Sequence, residues 1–285
     1  MGLPVEKRIE VVEKIALWLR KGRVNLKKTD YKGYLIDLDG TVYRGQQTIE
    51  TGVDFVHRLQ EKNIPYLFLT NNTTRTRKMV LEKLASHGIK TQIDHIYTPV
   101  LATIDYLLEK NPGIDKIPIY IIGEVGLKEG LLNNSHFYLD EENPKYVIVG
   151  MDTQMTYEKI RTAVRAIRNG AIFLGTNQDL NLPAGDELLP GNGSQCAMIS
   201  AASGVEPIYI GKPSPIIVDY ALKIIGLPKE DVVMVGDNYD TDIMTGVNYQ
   251  MDTLLTLTGV TKKEELADKL TPPTHMVEHL GKWKV

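Results

Sequence analysis

The chain has a single cysteine, Cys196, among 285 residues, which excludes an intrachain disulfide and makes a reducing cytoplasm the expected compartment. It also lacks a basic excess: 36 acidic residues against 33 Lys and Arg give a formal net charge of −3. Proteins that grip a phosphate backbone carry surplus positive charge, so nucleic acid is not an expected partner. The short pairs Lys27-Lys28 and Lys262-Lys263 read as solvated surface. No apolar run reaches the ~18 residues of a membrane span, and Val5–Arg23 is too laced with Glu, Lys and Arg for a signal peptide. No Walker loop or kinase signature occurs. The histidines (His57, His87, His95, His136, His275, His279) show no metal-ligand pairing and read as structural or surface groups.

What is present is a repeated pattern of apolar strands that end in polar residues. Composition, with 42% hydrophobic residues, suffices for one large or two modest cores. Ile9, Val12, Ala16 and Leu19 recur at helical spacing and predict an amphipathic N-terminal helix. Tyr34-Leu35-Ile36 then reads as a buried strand closing on Asp37-Leu38-Asp39-Gly40-Thr41. Strand alternation would aim both carboxylates one way, and Gly40 permits a sharp turn. Neighbouring like charges call for a cation or a shared proton; Asp at a strand end equally serves as a turn cap, and both readings stand at this point.

A helix over Thr51–Lys62 leads to a second strand, Ile64–Leu69, ending in Thr70-Asn71-Asn72. Strand, helix and strand make a right-handed parallel crossover, which brings Asp37 and Thr70 to the carboxyl edge where open parallel sheets bind ligands. From about Thr98 a second α/β pattern begins, with strands near 118–123, 146–150 and 171–175 and helices between them. Gly123-Glu124-Val125-Gly126 resembles a nucleotide loop but lacks the full fingerprint and reads as an ordinary turn. The polar, Pro- and Gly-rich stretch 176–193 reads as an ordered, functional loop. Gly211-Lys212-Pro213 precedes a helix from Ile217, and strand Val232–Gly236 closes on Asp237-Asn238-Tyr239-Asp240-Thr241-Asp242, with a helix from Asp242.

The strand ends thus offer Asp37, Asp39, Thr70, Asn71, Lys212, Asp237 and Asp242. All-oxygen donors without His or Cys select a hard cation such as Mg2+. Hydroxyl, amide and ammonium groups beside it suit a phosphoryl group.

These four motifs, in this order, resemble those of the haloacid dehalogenase superfamily, and the Thr-Asn-Asn second motif and long insert resemble its NagD-like, 4-nitrophenylphosphatase branch. The likeness runs from Tyr31 to about His279. It implies an α/β fold in which a Rossmann-like core of residues 31–97 and 207–285 is interrupted by an α/β cap of residues 98–206, after an extension of residues 1–30. It implies that Asp37 is the nucleophile and a Mg2+ ligand, and that Asp39 is the general acid/base, its carbonyl reaching the metal. Thr70, Asn71, Asn72, Gly40 and Lys212 would hold the phosphoryl group, Asp237 would complete the metal site, and Thr41, Asn238 and Asp242 would support it. Asn177 and Asp179 would face the substrate from the cap. The implied activity is hydrolysis of small phosphorylated metabolites such as sugar phosphates, nucleotide monophosphates or aryl phosphates. A homodimer through the cap is also raised. A phosphotransferase passing the group to a second alcohol, and a non-catalytic regulator on this fold, are the alternatives. An acid at position 39 argues for phosphate chemistry, because dehalogenases have no leaving alcohol to protonate.

Overall fold

The computed structural model describes residues 28–184 and 187–285; the helix expected over Val5–Arg23 lies outside the described residues. From Gly33 the chain lays down β1 (Gly33–Ile36), the hairpin β2 and β3 (Tyr43–Arg44, Gln47–Thr48), α1 (Glu50–Glu61), β4 (Tyr66–Leu69), α2 (Arg77–Ser86), β5 (Ile96–Tyr97) and α3 (Pro99–Lys110). Next come β6 (Ile117–Ile122), α4 (Val125–Leu132), β7 (Phe137–Leu139), β8 (Tyr146–Val149), α5 (Tyr157–Arg168) and β9 (Ile172–Gly175). A second hairpin, β10 and β11 (Asn181–Ala184, Glu187–Pro190), precedes α6 (Asn192–Ser203) and β12 (Ile208–Tyr209). The chain ends with α7 (Pro215–Ile225), β13 (Val232–Gly236), α8 (Met244–Tyr249), β14 (Asp252–Thr256) and β15 (His275–Val277).

Two parallel sheets result, ordered β15-β14-β13-β1-β4-β5 and β12-β9-β8-β6-β7. Their strands are apolar on both faces, as parallel strands covered on two sides must be. In the first sheet, Tyr34, Ile36, Phe68, Val233 and Val235 enter one core while Leu35, Leu67, Leu69, Val232 and Met234 enter the other. The period-2 pattern therefore serves two cores at once. The second sheet divides likewise, with Ile117, Ile119 and Ile148 on one face and Tyr120, Ile122, Val147 and Val149 on the other. This is a Rossmann-like α/β core with a second α/β layer.

Strand order fixes where the chemistry sits. From β1 the chain moves outward through β4 and β5, then returns to pair β13 on the opposite flank of β1. The order thus reverses between β1 and β13, and at such a switch point a crevice opens beyond the carboxyl ends. Asp37 and Asp237 directly follow those two strands; the Asp37 N–H still donates to the Val235 carbonyl at 2.8 Å. Helix α1 backs this position. Its stripe of Val53, Val56 and Leu59 is buried, and Phe55 meets Tyr34 edge-on with ring centroids 5.3 Å apart.

Several features depart from the sequence reading. The stretch 176–193 contains the antiparallel pair β10–β11, which its Pro and Gly residues disguised. The helix expected from Asp242 begins instead as a π-helical turn, Tyr239–Ile243, before α8. The second sheet takes in Ile208–Tyr209, which pair with Leu174 and Gly175, while Ile210 packs with residues of the first sheet. Helix α3 also serves both layers: Ala102 joins a core of the first sheet while Val100 and Leu107 join one of the second. No helix among the described residues is long and apolar enough to cross a membrane.

Phe55 is fully buried against the strand that carries Asp37. Truncation to Ala should cost ~3–5 kcal/mol, since large aromatic deletions leave cavities the surroundings only partly fill. Urea unfolding checks this, and an unchanged midpoint would show that α1 does not brace β1.

Candidate active site

Beyond Ile36 the strand ends in a tight turn, Val42 N–H donating to the Leu38 carbonyl at 2.9 Å. Strict alternation therefore does not extend to Asp39. Asp37 turns inward and is 7% exposed, whereas the Asp39 side chain is 53% exposed and lies 3.6 Å from the Lys83 ammonium.

Lys212 closes the pocket from the loop between β12 and α7. Its ammonium donates to Asp37 Oδ1 at 2.5 Å and to Asp242 Oδ1 at 2.6 Å, and all three side chains are buried. The π-helical turn brings Asp242 back beneath β13, where Oδ2 accepts the Asn238 N–H at 3.0 Å. Asp237 is held by the Thr41 hydroxyl at 3.2 Å and the Val260 N–H at 2.7 Å. Two glycines make room for its carboxylate. A Cβ on Gly40, whose φ is +93°, would fall 2.3 Å from an Asp237 oxygen, and one on Gly259 would fall 1.7 Å away.

Oxygens of Asp37, Asp237 and Asp242 lie within 4.8 Å of one another. Three buried carboxylates face one ammonium, so the pocket carries surplus negative charge in a poorly solvated place, which is costly. The protonation equilibria register it. Burial pushes the Asp37 carboxyl well above the usual carboxylate range; Lys212 opposes the rise, and Asp242 and Asp237 add to it. Asp237 is pushed up to about 7, by burial first and the Asp242 charge second. Burial works against the Lys212 charge, but Asp242 and Asp37 together outweigh it and raise its pKa. The donor set is hard oxygen throughout, which suits a divalent cation such as Mg2+.

The second motif forms the opposite wall. The buried Thr70 hydroxyl accepts the Asn72 N–H at 3.1 Å. Asn72 spends its side-chain oxygen on the loop itself, accepting the Thr74 and Arg75 N–H groups at 3.1 and 3.2 Å. Asn71 joins the two layers: its Nδ2 donates to the Lys212 carbonyl at 2.9 Å and to Asp179 Oδ2 at 3.1 Å. Asn177 Nδ2 donates in turn to the Asn71 carbonyl at 3.0 Å. Asn177 and Asp179 thus meet the second motif directly. The Asn238 side chain caps the following turn, accepting the Asp240 N–H at 3.0 Å.

Two contributors escaped the sequence reading. One is Thr258-Gly259-Val260-Thr261, which cradles Asp237 and whose Thr258 hydroxyl donates to the Gly40 carbonyl at 2.7 Å. A strand ending in Thr-Gly on the same edge was its visible signal. The other is Lys83 on α2, which no local pattern distinguishes from a surface lysine.

Such a site, a lysine-bridged acidic pocket at the switch point of a parallel sheet and touched by a second α/β layer, suits an enzyme of phosphoryl transfer. The haloacid dehalogenase-like hydrolase pattern matches residues 34–135, and a HAD-hydrolase-like pattern matches residues 209–283. The chain is 45% identical over 252 residues to the acid sugar phosphatase of Staphylococcus saprophyticus, spanning 88% of this chain and 96% of that protein. It is 44% identical to the 5'-nucleotidase YutF of Bacillus subtilis, over 89% of this chain and 97% of that one. The p-nitrophenyl phosphatase structure from Archaeoglobus fulgidus superposes with a TM-score of 0.83 at 33% identity, covering 88% of this chain and 97% of that chain. The chain belongs to the haloacid dehalogenase-like hydrolases, in their NagD-like phosphatase branch, and is a phosphoric monoester hydrolase.

The raised Asp237 pKa sets a pH dependence in protein freed of divalent cations. The folded state keeps a proton up to about 7, whereas the unfolded chain releases it near the ordinary ~4. More protons bound in the folded state mean that stability falls as pH rises through that window. Urea midpoints in chelator should therefore drop from pH 4.5 to 7.5 more steeply for the wild type than for Asp237→Asn; equal slopes would contradict the assignment.

Proposed function

We propose that this protein is a Mg2+-dependent phosphatase that hydrolyses small phosphate monoesters through an aspartyl-phosphate on Asp37. The observation that carries the reading is the convergence of Asp37, Lys212, Asp237 and Asp242 on one buried point. Asp37 and Asp237, with the Asp39 carbonyl, would hold the ion and Asp242 would support it. When bound, Mg2+ supplies positive charge that offsets the surplus carboxylates and polarises a phosphoryl oxygen.

The side chains divide the reaction into two displacements. In the first, an Asp37 oxygen bonds to phosphorus as the ester P–O bond breaks, and Asp39 gives its proton to the departing alkoxide. In the second, Asp39, now a carboxylate, takes a proton from water. The resulting hydroxide attacks phosphorus, the Asp37–phosphorus bond breaks, and phosphate leaves. A covalent intermediate replaces one difficult step with two easier ones. Lys212 fixes Asp37 and offsets charge at the transferring group, where preorganised donors act most strongly. The Thr70 hydroxyl and the backbone at Asn71 hold phosphoryl oxygens, and Gly40 leaves room for the Asp237 carboxylate beside them.

Residues 98–206 act as a cap, with Asn177 and Asp179 on its site-facing loop. Such a cap excludes water during charge transfer and opens to release product. The relatives named above act on sugar phosphates, 5'-nucleotides and p-nitrophenyl phosphate, which defines the substrate range to test. Its single buried cysteine suits a reducing cytoplasm.

Removing the nucleophile in Asp37→Asn should lower 4-nitrophenyl phosphate hydrolysis by at least ~10³-fold. Undiminished turnover in that variant would reject the mechanism. Chelator should abolish wild-type activity and added Mg2+ restore it; activity that persists in excess chelator would eliminate the metal requirement. A panel of sugar phosphates and nucleoside monophosphates, read by phosphate release, then ranks the substrates.

A further inference from the structure

Lys83 places a further cation beside this site. Its side chain is 11% exposed, and its ammonium lies 3.6 Å from Asp39 Oδ1 and 3.6 Å from the centroid of the Tyr43 ring. An ammonium so enclosed loses hydration, which Asp39 and the face of the ring offset in part. The ring is itself fixed. Tyr43 is 2% exposed and stacks on His87 with centroids 4.8 Å apart and planes 20° apart. His87 Nδ1 is hydrogen-bonded to the Thr48 hydroxyl at 2.8 Å. The Tyr43 carbonyl accepts the Gly40 N–H at 2.7 Å, joining the ring to the turn that presents Asp39. A chain of rigid contacts thus runs from α2 and the β2–β3 hairpin to a half-exposed carboxylate.

From this arrangement we infer that Lys83 is a positioning residue for Asp39, holding its carboxyl group in line with the leaving-group oxygen. The inference rests on the reading of Asp39 as general acid. A half-exposed carboxylate samples several rotamers, and each one that points away from the ester is unproductive. An ion pair whose carboxylate is half exposed contributes little to stability, but proton transfer depends on placement within hydrogen-bond reach. The effect of Lys83 therefore falls on the chemical step rather than on folding. It acts through Asp39 and touches no reacting atom.

Leaving-group dependence separates this role from a merely structural one. An alkoxide must receive a proton as it departs, whereas 4-nitrophenolate leaves without one. The readout is the ratio of kcat/KM for an alkyl phosphate, such as a hexose 6-phosphate, to that for 4-nitrophenyl phosphate. Lys83→Met should lower this ratio about tenfold, a fraction of the ~10²–10⁴ that general acid catalysis supplies. Lys83→Gln should lower it similarly and provides the test should the Met variant fold poorly. Lys83→Arg, which keeps a cation on the Tyr43 ring, should restore most of it. A structural role would lower both substrates together and leave the ratio unmoved, which would overturn the inference. Asp39→Asn, measured alongside, must lower the ratio further than either Lys83 variant. If it does not, the assignment of Asp39 fails, and that failure is distinct from a Lys83 ratio that stays fixed while the Asp39 ratio falls.

Discussion

The bridge from Lys212 to Asp37 and Asp242 is the constraint around which the site is built. An ammonium buried with two carboxylates cannot move without leaving charges unpaired in a medium that solvates them poorly, a penalty of several kcal/mol for each ion. The three residues come from the end of β1, the turn before α7 and the π-helical turn after β13. One interaction therefore locks three separate chain segments into register. Asp237 lies outside that bridge, held by the neutral donors of Thr41 and Val260.

The fold supplies that constraint cheaply in sequence terms. Parallel strands with apolar residues on both faces make two cores from one sheet, and the reversal of strand order beside β1 opens a crevice without distorting either. Polar residues gather where the strands run out and the backbone loses its ladder partners. The second layer reaches the site through a loop whose Asn177 and Asp179 contact Asn71, and its Gly126 N–H donates to the Thr74 carbonyl of the second-motif loop.

Much of this was legible in the residues. Strand-end carboxylates, Thr70 and Lys212 were visible because each follows an apolar run and so sits on one sheet edge by topology alone. The meeting of Asp37, Asp237 and Asp242 followed from the same logic. What the residues did not disclose depends on contacts distant in sequence. Lys83 acquires its significance only when α2 folds over Tyr43. The cradle at Gly259 emerges only once β14 pairs with β13, and Asp39 departs from strand alternation because a local turn intervenes. The β10–β11 pair, a two-stranded sheet of its own, was hidden by its Pro and Gly residues, which read as loop.

Helix α3 carries a consequence for how this architecture can be rearranged. Ala102 belongs to one hydrophobic core and Val100 and Leu107 to another, so no clean seam separates the two lobes along it. A chimera assembled by exchanging lobes between relatives would have to bring α3 along with its matching neighbours on both sides. Diversification of the outer lobe is thereby steered toward its loops and hairpin, which can vary without disturbing the shared helix.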